Sequence, residues 1–184
     1  VMTKTETTSV LADENYRMAV DLPEGDYKLV AYGGTACDKA SFNYTNTPKP
    51  GSRIEDLGMY LDPECLEVGN PRRRLHDLFY GTLDVHITKA PKLTPVTVKM
   101  MKDTNYIRII LQHLSYEPLD GKEYTFEITD DNTLFDHNNM LVDNGMVTYT
   151  PWDSGSITVG TGEVTDKEGN TDNTITNVKI AYAD

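Results

Sequence analysis

Apolar and polar residues alternate with a period of two along most of this chain, and no window of useful length shows a helical period. Strict alternation places one row of side chains inward and the next outward, which a strand does and a helix cannot. The chain is therefore predicted to be all-β. The alternating sets are Tyr16/Met18/Val20/Leu22, Tyr27/Leu29/Ala31, Leu83/Val85/Ile87, Val96/Val98/Met100, Ile107/Ile109/Leu111 and Tyr124/Phe126/Ile128. Further strands are expected over Met146 to Thr150, Ile157 to Val164 and Thr174 to Tyr182. Only Arg53 to Leu61 and Arg73 to Phe79 are expected to make short helical turns.

Turn chemistry divides these sets. Pro23-Glu24-Gly25 is read as a tight link between the first two strands, Asp103-Thr104-Asn105 as the link between the fourth and fifth, and Leu119-Asp120-Gly121 as the lead into the sixth. Antiparallel hairpins are the economical topology. Phe42 to Ser52, rich in Thr, Asn and Pro, reads as a long surface loop that does not ladder. Thr165 to Thr174 reads as a hairpin turn. After Pro151-Trp152 the composition shifts to Gly, Thr and Ser. That point is taken as a boundary between a sandwich domain over residues 1–150, its opening strand missing, and residues 151–184 as part of a second domain or as exchanged strands.

A length of 184 residues suffices for one ordinary domain or one and a part. The formal charge of -12 repels a phosphate backbone, so nucleic acid is excluded as an expected partner. No run of about 18 apolar residues is present, and Val1 is not followed by a basic-then-apolar export layout. The expectation is a cytosolic protein or one whose export segment was removed. Cys37 and Cys65 lie apart, outside any CxxC pair, and the sequence leaves one disulfide and two thiols equally open.

No catalytic constellation stands out. His76, His86, His113 and His137 are scattered, with His86 and His113 at polar strand positions, so solvated strand faces account for them. Asp130, Asp131, Asn132, Asp136 and Asn138 offer oxygen ligands, but not at the spacing of a calcium loop; a turn with Asx caps is expected. Asp166 to Asp172 is read as a hairpin turn on the same ground. Arg72-Arg73-Arg74, the one basic cluster, is read as a solvated loop. G-x-S-x-G elbows, P-loops and G-x-G-x-x-G turns are absent. No catalytic, cofactor-binding or metal-binding residue and no cofactor is assigned. Eleven tyrosines and one tryptophan against four phenylalanines leave room for aromatic binding faces, with Tyr44, Tyr60 and Trp152 as the planes on which sugar rings would stack.

Four phrases in fixed order carry a resemblance: LPEGDYKLVAYGG (Leu22 to Gly34), LHDLFYG (Leu75 to Gly81), VTVKMMKDTNYIRIIL (Val96 to Leu111) and FEITDDNTLFDHNN through VTYTPW (Phe126 to Trp152). Together they resemble the FimB-type family of Bacteroidales fimbrial anchor and minor subunits, once catalogued as a domain of unknown function suspected of binding polysaccharide. The resemblance implies transthyretin-like antiparallel β-sandwiches with Greek-key topology, no active site, and a lipid-anchored surface protein of the outer membrane. Other fimbrial subunits are the implied partners, with surface polysaccharide as the alternative ligand. It also implies that opening strands, the lipid-modified cysteine and a full second sandwich lie outside this sequence.

Overall fold

A computed structural model describes residues 3–35, 40–66, 74–89, 93, 95–111, 124–157, 164–165, 171–172 and 178–183. Its elements are almost all strands, and every pairing is antiparallel. In chain order they are β1 Gly25–Gly33, β2 Phe42–Tyr44, β3 Met59–Leu61, β4 Phe79–Ile87, β5 Met101–Lys102, β6 Ile107–Leu111 and β7 Ile128–Asp130. Then follow β8 Leu134–Phe135, β9 Val147–Tyr149, β10 Asp153–Ile157, β11 Val164–Thr165, β12 Thr171–Asp172 and β13 Val178–Ala183. Among the described residues helix is confined to α1, Thr8–Leu11, and two 3-10 turns, Ile54–Asp56 and Pro63–Leu66.

The chain forms two interleaved compact units. The first, residues 1–62, 76–104 and 132–144, holds two three-stranded sheets, ordered β1-β4-β5 and β2-β3-β8. The long pair β1 and β4 shows how alternation becomes a face. Tyr27 stands opposite Val85 and Leu29 opposite Leu83, all half-buried, whereas Asp26 stands opposite His86 and Lys28 opposite Asp84 on the exposed row. The apolar row is removed from water and the charged row meets its opposite sign. Phe42, Met59, Leu61, Leu78 and Tyr80 form the buried core of this unit. The two sheets meet through aromatic rings, Tyr32 of β1 against Tyr44 of β2.

Buried polar groups in this unit are placed on backbone. Ser41 Oγ accepts the His76 N–H at 2.9 Å, and its carbonyl accepts the Asp62 N–H at 2.8 Å. Leu61 N–H donates to the Thr133 carbonyl at 2.7 Å, and Asn144 Nδ2 to Thr133 Oγ1 at 3.0 Å.

The second unit, residues 63–75, 105–131 and 145–184, contains the sheet β10-β13-β6 and the pairs β7-β9 and β11-β12. Residue Lys179 of β13 stands opposite Leu111 of β6 and Ser156 of β10, so β13 is the middle strand. Leu75 and Tyr149 are buried here, and the Arg74 guanidinium lies 4.1 Å from the centre of the Tyr106 ring.

Several expectations are corrected. Tyr16 to Leu22 joins no ladder among the described residues, so Pro23-Glu24-Gly25 closes no hairpin. Alternation marks which side chains share a face and is silent about where the main-chain bonds go. Of Val96 to Lys102 only Met101–Lys102 ladders with β4. The preceding residues still run against β4, since a Cβ on Gly81 would stand 2.4 Å from the Lys99 carbonyl oxygen. Asp103-Thr104-Asn105 joins no hairpin either, because β5 and β6 belong to different sheets and different units.

β1 finds its partner in β4, far along the chain, rather than in a hairpin neighbour. The expected loop at Phe42 opens with strand β2, and Phe42 is buried. β3 and β8, two or three residues long, are too short to show a period and were not foreseen. Tyr124 and Phe126 precede β7, which begins at Ile128. Of the strand expected over Ile157 to Val164 only the ends are described, Ile157 in β10 and Val164 in β11, which belong to separate sheets; the residues between lie outside the described residues. Residues 74–78 form no helical turn, whereas the turn expected after Arg53 is the one at Ile54–Asp56. β11 and β12 pair as the Thr165 to Thr174 hairpin requires. Leu119-Asp120-Gly121 lies outside the described residues.

Candidate functional site

Within the first unit, β1 is the end strand of its sheet, paired with β4 along one edge. Among the described residues no main-chain hydrogen bond reaches its other edge. Beside that edge runs a groove of about 690 Å³. Asp26, Tyr27, Lys28, Leu29 and Val30 all line it, and five consecutive residues reach one groove only if it follows the strand's edge rather than a face.

The opposite wall is the segment whose alternation predicts a strand, with Met18, Val20 and Leu22 lining the groove. Met18 is 42% exposed and Val20 45%. Ile54 and Leu57, from the 3-10 turn and the residue capping it, close the floor with Pro48.

The segment carrying Met18 and Val20 holds itself in place by contacts of its own. Lys4 Nζ donates to the Ala19 carbonyl at 3.3 Å and pairs with Glu6 at 3.7 Å. Tyr16 Oη donates to Glu6 Oε1 at 2.5 Å, and that bond raises the Tyr16 pKa. On the other rim Arg53 Nε meets Glu55 Oε2 at 3.3 Å. The Glu55 backbone N–H, with Arg53 beside it, holds that carboxyl below the usual range. Exposed pairs of this kind contribute little to stability and leave the rim charged and wet.

Behind β1 the unit keeps a polar interior. Tyr80 Oη donates to the His137 carbonyl at 2.9 Å, and Asn139 Nδ2 to Asp103 Oδ1 at 2.8 Å. Burial, then the neighbouring Tyr80 and Tyr44 rings and the Asp103 and Asp136 carboxyl groups, pushes Tyr32 far above the ordinary phenol value. Burial likewise raises Asp103, against the opposing pull of Asn139.

The residues singled out by sequence do not converge. His86 Nδ1 meets Asp26 Oδ1 at 2.6 Å on the exposed face of β4, and His76 Nδ1 meets Ser41 Oγ at 3.3 Å. His137 contacts Asn138, and His113 lies outside the described residues. Asp136 caps its own turn: Oδ1 accepts the N–H groups of Asn138 and Met140, both at 2.8 Å, with Asn139 at φ 63°. Asp130 Oδ1 accepts the Asp131 N–H at 2.9 Å. The bonds of Asp136 are the expected Asx cap. Among the described residues no three His, Cys, Asp or Glu side chains are placed to hold a metal ion.

Tyr44, Tyr60 and Trp152 are half-buried, and the Tyr44 ring is met edge-on by Tyr32. Cys65 is half-buried in its 3-10 turn; Cys37, Arg72, Arg73 and the turn after Asp166 lie outside the described residues. Ile54 and Leu57, three positions apart in a recognised turn, were legible as an apolar pair. Their place opposite Val20 was not, because it depends on long-range packing.

A two-unit, antiparallel all-β chain with an open strand edge beside an apolar groove presents the geometry that strand addition uses. The family model for fimbrillin-A associated anchor proteins Mfa1 and Mfa2 matches residues 1–182, and this chain belongs to that family. It is similar to the crystal structure of a candidate adhesin from Bacteroides thetaiotaomicron, at 46% identity and TM-score 0.83, covering 100% of this chain and 57% of that one. A candidate polysaccharide-binding protein from the same organism matches at 25% identity and TM-score 0.69, over 96% of this chain and 56% of its own. A candidate adhesin from Bacteroides ovatus shares the fold at 23% identity and TM-score 0.63, over 88% and 48%. The chain thus spans about half the length of the solved structures it matches. No curated protein matches it.

Proposed function

We propose that this chain is a non-enzymatic, surface-exposed subunit of a fimbrium, an anchoring or accessory piece. In this reading it assembles by accepting an extended segment of another fimbrial subunit along the outer edge of β1. The observation that carries the reading is the groove at that edge. It offers unladdered main-chain groups on one side and an alternating apolar wall of Met18, Val20 and Leu22 on the other. An incoming strand gains ladder hydrogen bonds of about 0.5–1.5 kcal/mol each, while its alternate side chains meet the apolar wall. Family membership supports the fimbrial setting.

Attachment to the outer membrane through a lipid anchor outside this chain belongs to the same proposal and rests on the family. So does the contribution of residues 151–184 to a second domain, which the pairing of β10 and β13 with β6 supports. The test is to tag the full-length protein in its source bacterium and identify what co-purifies from outer-membrane and sheared-surface fractions. Fimbrial subunits are expected with the native protein and lost with Val20→Lys. Recovery of the protein alone in both cases contradicts the proposal.

A second reading, surface polysaccharide binding, is favoured by the description of the 25% identical relative. Glycan-array binding that is lost in Trp152→Ala or Tyr44→Ala would select it.

A further inference from the structure

Asp103 and Asn139, both half-buried, meet in the first unit. The Asn139 amide donates to Asp103 Oδ1 at 2.8 Å. The second oxygen of each group, Asp103 Oδ2 and Asn139 Oδ1, is buried and has no protein donor. Both are acceptors when Asp103 is ionised, so that state leaves two buried acceptors facing an N–H···O bond that satisfies only one edge of the pair. We infer that Asp103 is held as the neutral acid, its Oδ2–H donating to Asn139 Oδ1, so that the carboxyl and the carboxamide close a two-bond ring. One proton then satisfies both orphaned oxygens.

The surroundings agree with a neutral group. Among the described residues no cation pairs with Asp103, since Lys102, next in sequence, turns to Asp77 at 3.0 Å, where Thr104 Oγ1 also donates. The Asp136 carboxylate faces the same interior, with one oxygen already accepting two backbone N–H groups. Tyr32 and Tyr80 present phenols, not charges, and Tyr80 donates to the His137 carbonyl. Asp103 also donates its backbone N–H to the Leu78 carbonyl at 2.9 Å, which fixes the turn against β4. Burial raises the Asp103 pKa in the direction this arrangement requires.

The pair is a latch between the turn that follows β5 and the capped turn at Asp136 to Met140. Because the folded pKa lies above the unfolded one, the latch contributes its full stability below about pH 4 and loses it as pH rises through the folded value. The first unit therefore loosens at this point as its medium passes from acid toward neutral.

Two measurements test this. Carboxyl 13C chemical shifts of the intact chain, followed from about pH 3 to pH 8, should show Asp103 keeping its protonated shift after the exposed aspartates have ionised. Asp103 titrating together with them would overturn the inference. In thermal melts over the same range, Asp103→Asn supplies a permanent donor in place of the proton and should flatten the pH dependence, matching or exceeding the native protein near neutrality. A variant that keeps the native pH dependence would overturn it; should the variant not fold, the carboxyl titration decides alone.

Discussion

The rings of Tyr32 and Tyr44 meet edge to face, 5.7 Å between centroids and 86° between planes, and they join the sheet that carries the groove to the sheet behind it. Tyr32 also lies 5.3 Å from Tyr80. An aromatic trio at a sheet junction contributes through area and through quadrupole contacts. Tyr32→Ala should cost about 3 kcal/mol of unfolding free energy, measured by denaturant titration, and Tyr44→Ala less. Equal stability of native protein and Tyr32→Ala would show that the junction is held elsewhere.

Tyr32 Oη is buried without a protein partner, so the phenol resists ionisation in the folded state. A raised pKa favours the neutral folded form: the contribution is complete below about pH 10 and fades as pH rises beyond that, when the unfolded phenol ionises first. Native protein should lose stability between about pH 9 and pH 11 more steeply than Tyr32→Phe. Below that range the Phe variant should be as stable or slightly more so, since it removes an unsatisfied hydroxyl. Chemical denaturation at stepped pH reads both.

Gly34, at the end of β1, has φ +87°, and a Cβ there would stand 1.8 Å from the Asp77 carbonyl oxygen. Both penalties fall on backbone, which cannot turn aside. Gly34→Ala should prevent folding of the first unit. Gly51 also has a left-handed φ, of +89°, with nothing within 4 Å, so Gly51→Ala should cost only about 1 kcal/mol. Circular dichroism of the pair separates close approach from conformational strain.

β13 lies between β10 and β6, so removing residues 178–184 strips both of their partner. A sheet without its middle strand exposes two edges and loses its ladder. The truncated protein should melt earlier and aggregate more than the native one. Hydrogen exchange should show protection lost in β6 and β10. Protection unchanged in both would contradict the pairing.

What was legible in the sequence follows from what periodicity measures. Leu83/Val85/Ile87 and Tyr27/Leu29 showed which side chains turn inward, and β1 and β4 form as read. Who pairs with whom was not legible, because β1 passes over its sequence neighbours to reach β4, and a period of two carries no partner information. β2, β3 and β8 are too short for alternation to register, although Phe42, Met59 and Leu61 supply much of the core. The groove was half legible: Met18, Val20 and Leu22 were marked as one apolar face, but their failure to ladder, which leaves the edge of β1 open, depends on packing that the local sequence does not record.

The most direct test of the central claim is site-specific photocrosslinking in the source bacterium. A photoreactive residue is placed at Val20 on the groove wall and, as a control, at the exposed Asn138 of the same unit. The account predicts that Val20 captures another fimbrial subunit and that Asn138 does not. Capture at both positions, or of no fimbrial subunit at Val20, would contradict it.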